Sequence, residues 1–347
     1  MRRLFTGAIA GAALPILTRM DPETAHRLGL AGLKLLRPLW PPPRTPSSLA
    51  VDCAGLHFAH PVGLAAGFDK NGDYLDALGA VGFSHIELGT VTPRPQPGNE
   101  RPRMFRLRDA DALVNRMGFN NKGADHLAAR LAASRYRGIR GISIGKNFDT
   151  PLANAGDDYL ACLRRLYEFA DYFAVNVSSP NTAHLRELQD REALARIVEP
   201  LAEERLLLAR RFGTRVPIFV KIAPDLDPER IDSLALQLPA LAVDGVIATN
   251  TSNRLEDFAS QLPPGASGGL SGRPLHARSL PVIRRLRTRL GPGFPIIGVG
   301  GILSADDALQ MLAAGADLIQ IYTGFAYRGH FLLDEILGRL TQARGAA

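Results

Sequence analysis

Eight short apolar runs recur along the chain beyond residue 60, and each ends in glycine or polar residues. The runs are PVGLAAGFDK, SHIELGTVTP, GISIGKN, YFAVNVSSPN, PIFVKIAPD, GVIATNT, PIIGVGGI and LIQIYTG. Helix-like stretches lie between them, at 157–170, 192–212, 228–238, 277–290 and 305–314. Continuous apolar strands that alternate with helices are typical of a parallel sheet buried on both faces. With eight strands, the pattern predicts an α/β fold, a parallel (β/α)8 barrel of the TIM type.

A doubly wound sheet is the alternative fold for this alternation. Its glycine fingerprint, G-x-G-x-x-G at the start of a helix, is missing, and the GVGG stretch at 298–301 is weak support on its own. The segment from 93 to 138 is too long for one loop and one helix. We therefore expect part of it to form a hairpin or cap over the barrel mouth.

The strand ends carry the residues that suggest chemistry. In a barrel the carboxyl ends of all strands converge on one face. The NVSSPNT stretch at 176–182 would then face six residues from other strand ends, namely Lys70, Thr90, Lys146, Lys221, Asn250 and Tyr322. Lysines and amides, without a histidine or a carboxylate pair, suit a flat anionic ring compound and argue against glycosidase or metal-hydrolase chemistry.

Glycines end the seventh and eighth strands, at Gly300-Gly301 and at Tyr322-Thr323-Gly324. Barrels of this type bind phosphate there through backbone N–H groups. A phosphate-bearing cofactor such as a flavin mononucleotide is a reasonable inference, although glycines do not specify which one. The two cysteines, Cys53 and Cys162, have no metal-binding spacing and are too few for a disulfide framework, so we expect no metal site.

The amino-terminal segment differs from the rest in charge. Residues 1–46 hold seven basic and two acidic side chains, which accounts for five of the seven net positive charges. Because the basic residues are interleaved with apolar ones, the segment fits an anionic membrane surface better than nucleic acid. Its first apolar run is shorter than the roughly 20 residues that span a bilayer.

An amphipathic helix is predicted from Asp21 onward. Asp21 is a good N-cap residue, and Pro22 suits the first turn. The alternative interpretation is a helix that packs its apolar face on the main domain. The WPPP stretch at 40–43 ends the helix, so we expect an amino-terminal extension at 1–43 and a barrel domain at 44–347.

Eleven motifs, in this order along the chain, resemble those of one enzyme family. They are LAAGFDKNG, IELGTVTPRPQPGN, RPRMFRL, NRMGFNN, GKNFDTP, NVSSPNT, VKIAPDL, GVIATNT, GGLSGRPL, PIIGVGGI and IQIYTGF. Together with DPETAHRL at the amino terminus, they resemble dihydroorotate dehydrogenase in its membrane-associated, quinone-using class 2 form. The likeness runs from about residue 21 to the eighth strand.

The resemblance implies an activity and its partners. FMN would be the cofactor, (S)-dihydroorotate would be oxidised to orotate in pyrimidine synthesis, and a membrane quinone would be the final electron acceptor. We also expect a monomer that attaches peripherally to the cytoplasmic side of the cell membrane and binds no nucleic acid.

The resemblance further implies roles for individual residues. Ser179 would be the base that takes a proton from the substrate ring. FMN would be held by Ala66, Gly67, Phe68, Asp69, Lys70, Thr90, Ser143, Asn176, Lys221, Thr249, Gly272, Gly301, Tyr322 and Thr323. Dihydroorotate would be held by Lys70, Asn115, Arg116, Met117, Gly118, Phe119, Asn176, Asn181, Asn250 and Thr251. The quinone path would pass His26 and Arg106.

The residue types agree with these roles in most cases. Lys70 would balance the substrate carboxylate, and Lys221 suits the flavin edge where negative charge develops. A serine is a poor proton acceptor at neutral pH unless a neighbour passes the proton on, and Thr182 is a candidate for that relay. The soluble class 1 enzymes use a cysteine as base, and neither cysteine here lies in that motif.

The chain departs from the family pattern at two places. Ser143 stands where the class 2 enzymes usually have an asparagine near the flavin, and Ala183-His184 replaces the usual Pro-Gly after NVSSPNT. Two other functional classes stay open. A related oxidoreductase with a soluble acceptor would lack the amphipathic amino terminus, and a non-catalytic membrane-binding barrel would be colourless when purified.

Overall fold

Eight parallel strands close into a barrel at the centre of the computed structural model, which describes residues 2–40, 46–182 and 185–345. The strands of the described chain are β1 Val51–Cys53, β2 Leu56–Phe58, β3 Val62–Leu64, β4 His85–Val91, β5 Met104–Leu107, β6 Ala112–Asn115, β7 Ile139–Ile144, β8 Tyr172–Asn176, β9 Ile218–Ile222, β10 Gly245–Ala248, β11 Gly269–Gly272, β12 Ile296–Val299 and β13 Leu318–Ile321. The barrel order is β3-β4-β7-β8-β9-β10-β12-β13, and β13 pairs with β3 again. Each of the eight predicted apolar runs supplies one barrel strand, so the predicted fold is confirmed.

Helices surround the barrel and follow most of its strands. They are α1 Arg2–Leu17, α2 Pro22–Leu36, α3 Leu75–Val81, α4 Ala124–Ala133, α5 Ala155–Leu166, α6 Arg191–Phe212, α7 Pro228–Ala240, α8 Arg273–Leu290, α9 Ala305–Ala313, α10 Thr323–Arg328 and α11 His330–Gly345. The helix predicted at 277–290 begins four residues earlier, at Arg273, because proline in its first turn favours a helix start.

The inside of the barrel is filled by large side chains that face glycines on neighbouring strands. A Cβ atom on Gly141 would lie 2.1 Å from the ring of Tyr172, and one on Gly245 would lie 2.2 Å from the ring of Phe219. The hairpin β1–β2 closes the amino-terminal end of the barrel, where Phe58 packs in the same apolar cluster as Phe219. The barrel is therefore a packed core and opens only toward the carboxyl ends of its strands.

The predicted cap over the barrel mouth is confirmed. Strands β5 and β6 form an antiparallel hairpin within the segment from 93 to 138. Strand β11 comes after barrel strand β10 in the sequence but is not part of the barrel. It pairs with β6 and extends the hairpin to three strands. The cap is thus attached to the barrel from two distant parts of the chain.

Helices α1 and α2 lie against the barrel beside the cap. The side chain of Asp21 accepts a hydrogen bond from the N–H of Thr24 at 2.8 Å, which confirms the predicted N-cap. Ala25 and Leu30 of α2 are buried, whereas Leu35 is 80% exposed, so the helix has both a packed face and an exposed apolar face. No helix in the described part of the chain is long and apolar enough to cross a membrane. The predicted boundary at 43/44 lies outside the described residues and stays a prediction.

An ion-pair cluster fastens α2 to the cap. The carboxylate of Glu23 accepts hydrogen bonds from Arg103 at 2.8 Å and from Arg101 at 2.9 Å. Arg103 is only 7% exposed and also donates to the backbone carbonyls of Pro97 and Asn99. The two guanidinium groups lower the pKa of Glu23 despite partial burial, with the Arg103 hydrogen bond as the main cause.

We expect Glu23→Gln to loosen α2 from the cap. The variant leaves the buried Arg103 without its carboxylate, which costs about 1–3 kcal/mol of local stability. Hydrogen exchange of α2 and of residues 97–103 in the full chain measures the effect. Glu100→Gln, an exposed change on the same cap, is the control.

The same pair predicts a pH dependence. Because the pKa of Glu23 is lowered in the fold, its contribution is complete above the usual carboxyl range and is lost as the pH falls through the folded pKa. The difference in protection between the parent and Glu23→Gln should therefore shrink on acidification. A difference that stays constant in acid would contradict this account of the pair.

Candidate active site

A cavity opens at the carboxyl ends of the barrel strands, beneath the cap. Its empty space, part of which is open to solvent, amounts to ≈ 970 Å³. Its lining includes most of the residues that the sequence assigned to cofactor and substrate, namely Ala66, Gly67, Lys70, Thr90, Asn115, Met117, Gly118, Phe119, Asn176, Ser179, Asn181, Lys221, Thr249, Asn250, Thr251, Gly272, Gly301, Tyr322 and Thr323. Barrel closure thus brings together residues that lie as far apart in the sequence as Ala66 and Thr323.

Three residues of the predicted cofactor group lie outside this lining. Phe68 points into a second, apolar cavity. The carboxylate of Asp69 accepts hydrogen bonds from the backbone N–H groups of residues 71, 73 and 74, so it shapes the turn that carries Lys70. Ser143 is fully buried and shares a 2.8 Å hydrogen bond with Thr90, so it reaches the cavity wall through a neighbour.

Two further residues expected near the substrate also lie elsewhere. Arg116 donates to the carbonyl of Pro102 within the cap. Lys146 was expected to face the barrel mouth, and the structure corrects this: its ammonium donates to the carbonyls of Asn147 and Thr150 and does not line the cavity. The Ala183-His184 departure lies outside the described residues.

Four amide side chains form one wall of the cavity. Asn176 at the end of β8 donates to Thr90 at 2.8 Å and accepts from Asn250 at 3.2 Å. Asn181 donates to Asn115 of the cap at 3.1 Å, while its own side-chain oxygen is buried without a protein partner in the described structure. The wall therefore offers donors and acceptors to a ring that carries carbonyl and N–H groups.

The two serines after β8 point in different directions. Ser179 lines the cavity, and its Oγ accepts a hydrogen bond from the N–H of Asn181 at 3.2 Å. Ser178 does not line the cavity, and its Oγ accepts from Asn250 at 3.0 Å. Among the described residues, the lining contains no carboxylate and no imidazole, and the role expected of Ser179 stays a prediction.

Two lysines line the cavity. Lys70 donates to the carbonyl of Gly67 at 3.1 Å. Burial, followed by the nearby charge of Arg103, lowers the pKa of Lys70 to about 8. Lys221 lies at the inner end, on β9, where its ammonium is 3.6 Å from the carboxylate of Glu87 on β4.

Sequence reasoning missed Glu87 and Gln320. Glu87 lies in the middle of a buried strand, and Gln320 lines the cavity from β13. A charged residue in the middle of a strand that is buried on both faces needs a polar partner, and this was the available signal.

The opposite end of the cavity is built from glycines and a helix start. Gly272 precedes α8 with a φ of +96°, and Gly301 follows β12 with a φ of +69°. A Cβ atom on Gly301 would lie 2.4 Å from the backbone nitrogen of His276, so only glycine fits this close approach. Exposed backbone N–H groups at the positive end of a helix suit a phosphate group.

A second cavity lies between the amino-terminal helices and the barrel. Its empty space, part of which is open to solvent, amounts to ≈ 1510 Å³, and most of its lining is apolar. The sequence-predicted His26 and Arg106 both line it. Tyr322 lines this cavity and the polar one, so the two cavities share a wall.

Aromatic and basic groups mark that shared wall. Phe68 contacts His26 and Tyr322, with ring centroids 4.7 and 5.3 Å apart. Burial, and then the charge of Lys70, lowers the pKa of His26 to about 4, so the ring is neutral at neutral pH. The guanidinium of Arg106 lies 5.2 Å from the ring centroid of Tyr327, and its Nε and Nη1 are buried without a protein partner in the described structure.

Comparison with known proteins identifies the family. The family model for dihydroorotate dehydrogenase matches residues 48–343. A protein named dihydroorotate dehydrogenase (quinone) from Methylobacillus flagellatus is 52% identical over 326 residues, 93% of this chain and 96% of that protein. One of the same name from Azotobacter vinelandii is 49% identical over 344 residues, 96% of this chain and 97% of that protein. A crystal structure of DHODH in complex with ferulenol from Eimeria tenella matches with a TM-score of 0.85 at 36% identity, covering 93% of this chain and 91% of that one. The chain therefore belongs to the dihydroorotate dehydrogenase family of oxidoreductases.

Proposed function

We propose that this protein oxidises (S)-dihydroorotate to orotate with FMN and passes the electrons to a membrane quinone, as a step of pyrimidine synthesis. The observation that carries the proposal is the pair of cavities that meet at Tyr322, one polar and one apolar. A polar ring substrate and an apolar electron acceptor need separate sites on either side of a shared redox group. Relatives that share about half of their residues with this chain are named for the same activity and acceptor.

The lining of the polar cavity supports FMN as the cofactor. Gly272, Gly301 and Thr323 would hold the phosphate, and Ala66-Gly67 would lie against the ring system, with Lys221 at its pyrimidine edge. When bound, FMN supplies the hydride acceptor and the route by which electrons leave toward the second cavity.

The amide wall and Lys70 would orient the substrate. The four amides match the carbonyl and N–H groups of the dihydroorotate ring, and Lys70 offers a cation for its carboxylate. The cap that carries Asn115 would cover the ring and keep water away from it.

Ser179 would take a proton from one ring carbon while the adjacent carbon loses a hydride to the cofactor. Its Oγ accepts only the N–H of Asn181 in the described structure, so a lone pair stays available for the proton. The hydroxyl proton must leave at the same time, and Thr182 is the candidate group to pass it on. A cysteine base is disfavoured here, because Cys53 and Cys162 are both buried away from this cavity, and burial raises the pKa of Cys53 to about 12.

The apolar cavity would receive the quinone, with His26 and Arg106 near its polar head. The exposed leucines of α2, together with the basic residues beside them, would hold the protein at an anionic membrane surface as a peripheral protein. We place this attachment on the cytoplasmic side of the cell membrane and expect a monomer.

Ser179→Ala should keep the fold, the yellow flavin and orotate binding but slow the chemical step. Loss of a positioned proton acceptor costs roughly 10²–10⁴-fold, measured as bleaching of bound flavin by dihydroorotate. Ser179→Cys should recover part of the rate, since a thiol with a pKa of about 8.5 ionises more readily than a hydroxyl. Ser178→Ala is the matched control. A larger loss in the control, or a normal rate in Ser179→Ala, would remove Ser179 from its role.

Lys70→Met should weaken orotate binding far more than FMN binding, because the carboxylate loses its cation. In the parent, orotate affinity should also fall as the pH rises through about 8, where Lys70 loses its charge, and the variant should lack this dependence. Titration of the flavin spectrum with orotate measures both effects. Lys146→Met makes the same chemical change outside the cavity and should leave the affinity unchanged.

Arg106→Met should raise the KM for quinone and leave flavin reduction by dihydroorotate at the parental rate. The reason is that Arg106 lines the apolar cavity and makes no contact with the polar one. Stopped-flow reduction and steady-state turnover separate the two half-reactions. Arg108→Met, on the same hairpin but exposed, is the control. Slower flavin reduction in Arg106→Met would contradict the assignment of the two cavities.

A further inference from the structure

A carboxylate lies inside the barrel below the polar cavity, and no step of the proposed reaction uses it. Glu87 of β4 is 0% exposed. Its Oε2 accepts hydrogen bonds from the hydroxyl of Tyr172 at 3.0 Å and from Nε2 of Gln320 at 2.9 Å. Its Oε1 has no hydrogen-bond partner in the described structure and lies 3.6 Å from Nζ of Lys221.

Lys221 lies beside this carboxylate. Its side chain is 6% exposed, and Glu87 is the only polar partner of its ammonium within the described residues. Two buried opposite charges at this distance attract strongly where water is excluded, whereas either one alone would be costly to bury. Lys221 and Gln320 both line the cavity, so Glu87 contacts two of the cavity residues from inside the barrel.

We propose that Glu87 is a positioning residue that fixes Lys221 and offsets its charge, and thereby sets how strongly the inner end of the cavity favours negative charge on the bound cofactor. The inference rests on the proposed function, in which Lys221 meets the pyrimidine edge of FMN. An unopposed ammonium would stabilise the reduced, more negative cofactor; the carboxylate limits that effect. The reduced cofactor is then a stronger electron donor to the acceptor in the second cavity.

A purely structural role for Glu87 predicts a different pattern. As part of the barrel core, it would contribute through shape and through its hydrogen bonds to Tyr172 and Gln320. Glu87→Gln preserves the shape and removes the charge. Tyr172→Phe removes one hydrogen bond to the carboxylate and leaves its charge in place. The two variants therefore separate electrostatics from packing.

The test is the midpoint potential of bound flavin, measured by spectroscopic redox titration of the full-length holoprotein. Glu87→Gln should shift the equilibrium toward the reduced form by about tenfold, which is about 30 mV in the positive direction for a two-electron couple. Tyr172→Phe should not raise the potential, even if it lowers the melting temperature as much. An unchanged potential in Glu87→Gln, or an equal rise in both variants, would overturn the inference.

The Lys221→Met variant is a second test, which does not depend on whether Glu87→Gln folds. Without its cation the inner end of the cavity stabilises the reduced, more negative cofactor less, so the potential should fall below that of the parent. The potential change of the double variant Glu87→Gln/Lys221→Met should differ from the sum of the two single changes, because the two side chains act as a pair. An unchanged potential in Lys221→Met would also overturn the inference. If the parent protein failed to bind FMN at all, that result would instead contradict the proposed function.

Discussion

The pairing of β13 with β3 is the contact on which the rest of the structure depends, because it turns an open sheet into a closed barrel. Closure places the carboxyl ends of eight strands around one opening. Lys70, Asn176, Lys221 and Asn250 come from four different strand ends, and no local segment could bring them within reach of one small molecule. The same closure leaves the barrel without exposed edges, so strand hydrogen bonding is satisfied all the way round.

Polarity changes in steps along the barrel axis. Tyr172 and Phe219 pack against the β1–β2 hairpin at the amino-terminal end, and the Glu87–Lys221 pair lies above them. The amides form the mouth. The packed rings exclude water from beneath the charge pair. The pair therefore lies in a medium of low dielectric constant, where it interacts strongly with a molecule bound in the cavity.

Sequence reasoning succeeded where a residue's role follows from local order. The alternation of strands and helices predicted the barrel, Asp21 predicted the start of α2, and the strand-end motifs predicted most of the cavity lining. It failed where the role of a residue depends on the direction of its side chain or on a partner that is distant in the sequence. Lys146 follows a strand end like the other lysines, but its side-chain ammonium donates hydrogen bonds to nearby backbone carbonyls. Glu87 was read as part of an apolar run, and its partners on β8, β9 and β13 become neighbours only after closure. The joining of β11 to the cap is equally non-local.

The contact between Glu23 and Arg103 has a consequence for exchanging parts between relatives. The amino-terminal helices read from sequence as a separate module, yet one of their carboxylates completes the environment of an arginine buried in the cap. A graft of these helices from a relative keeps that environment only if the donor segment carries an acidic residue at the equivalent of position 23. The two positions should therefore be transplanted together, as one inherited unit that crosses the apparent module boundary.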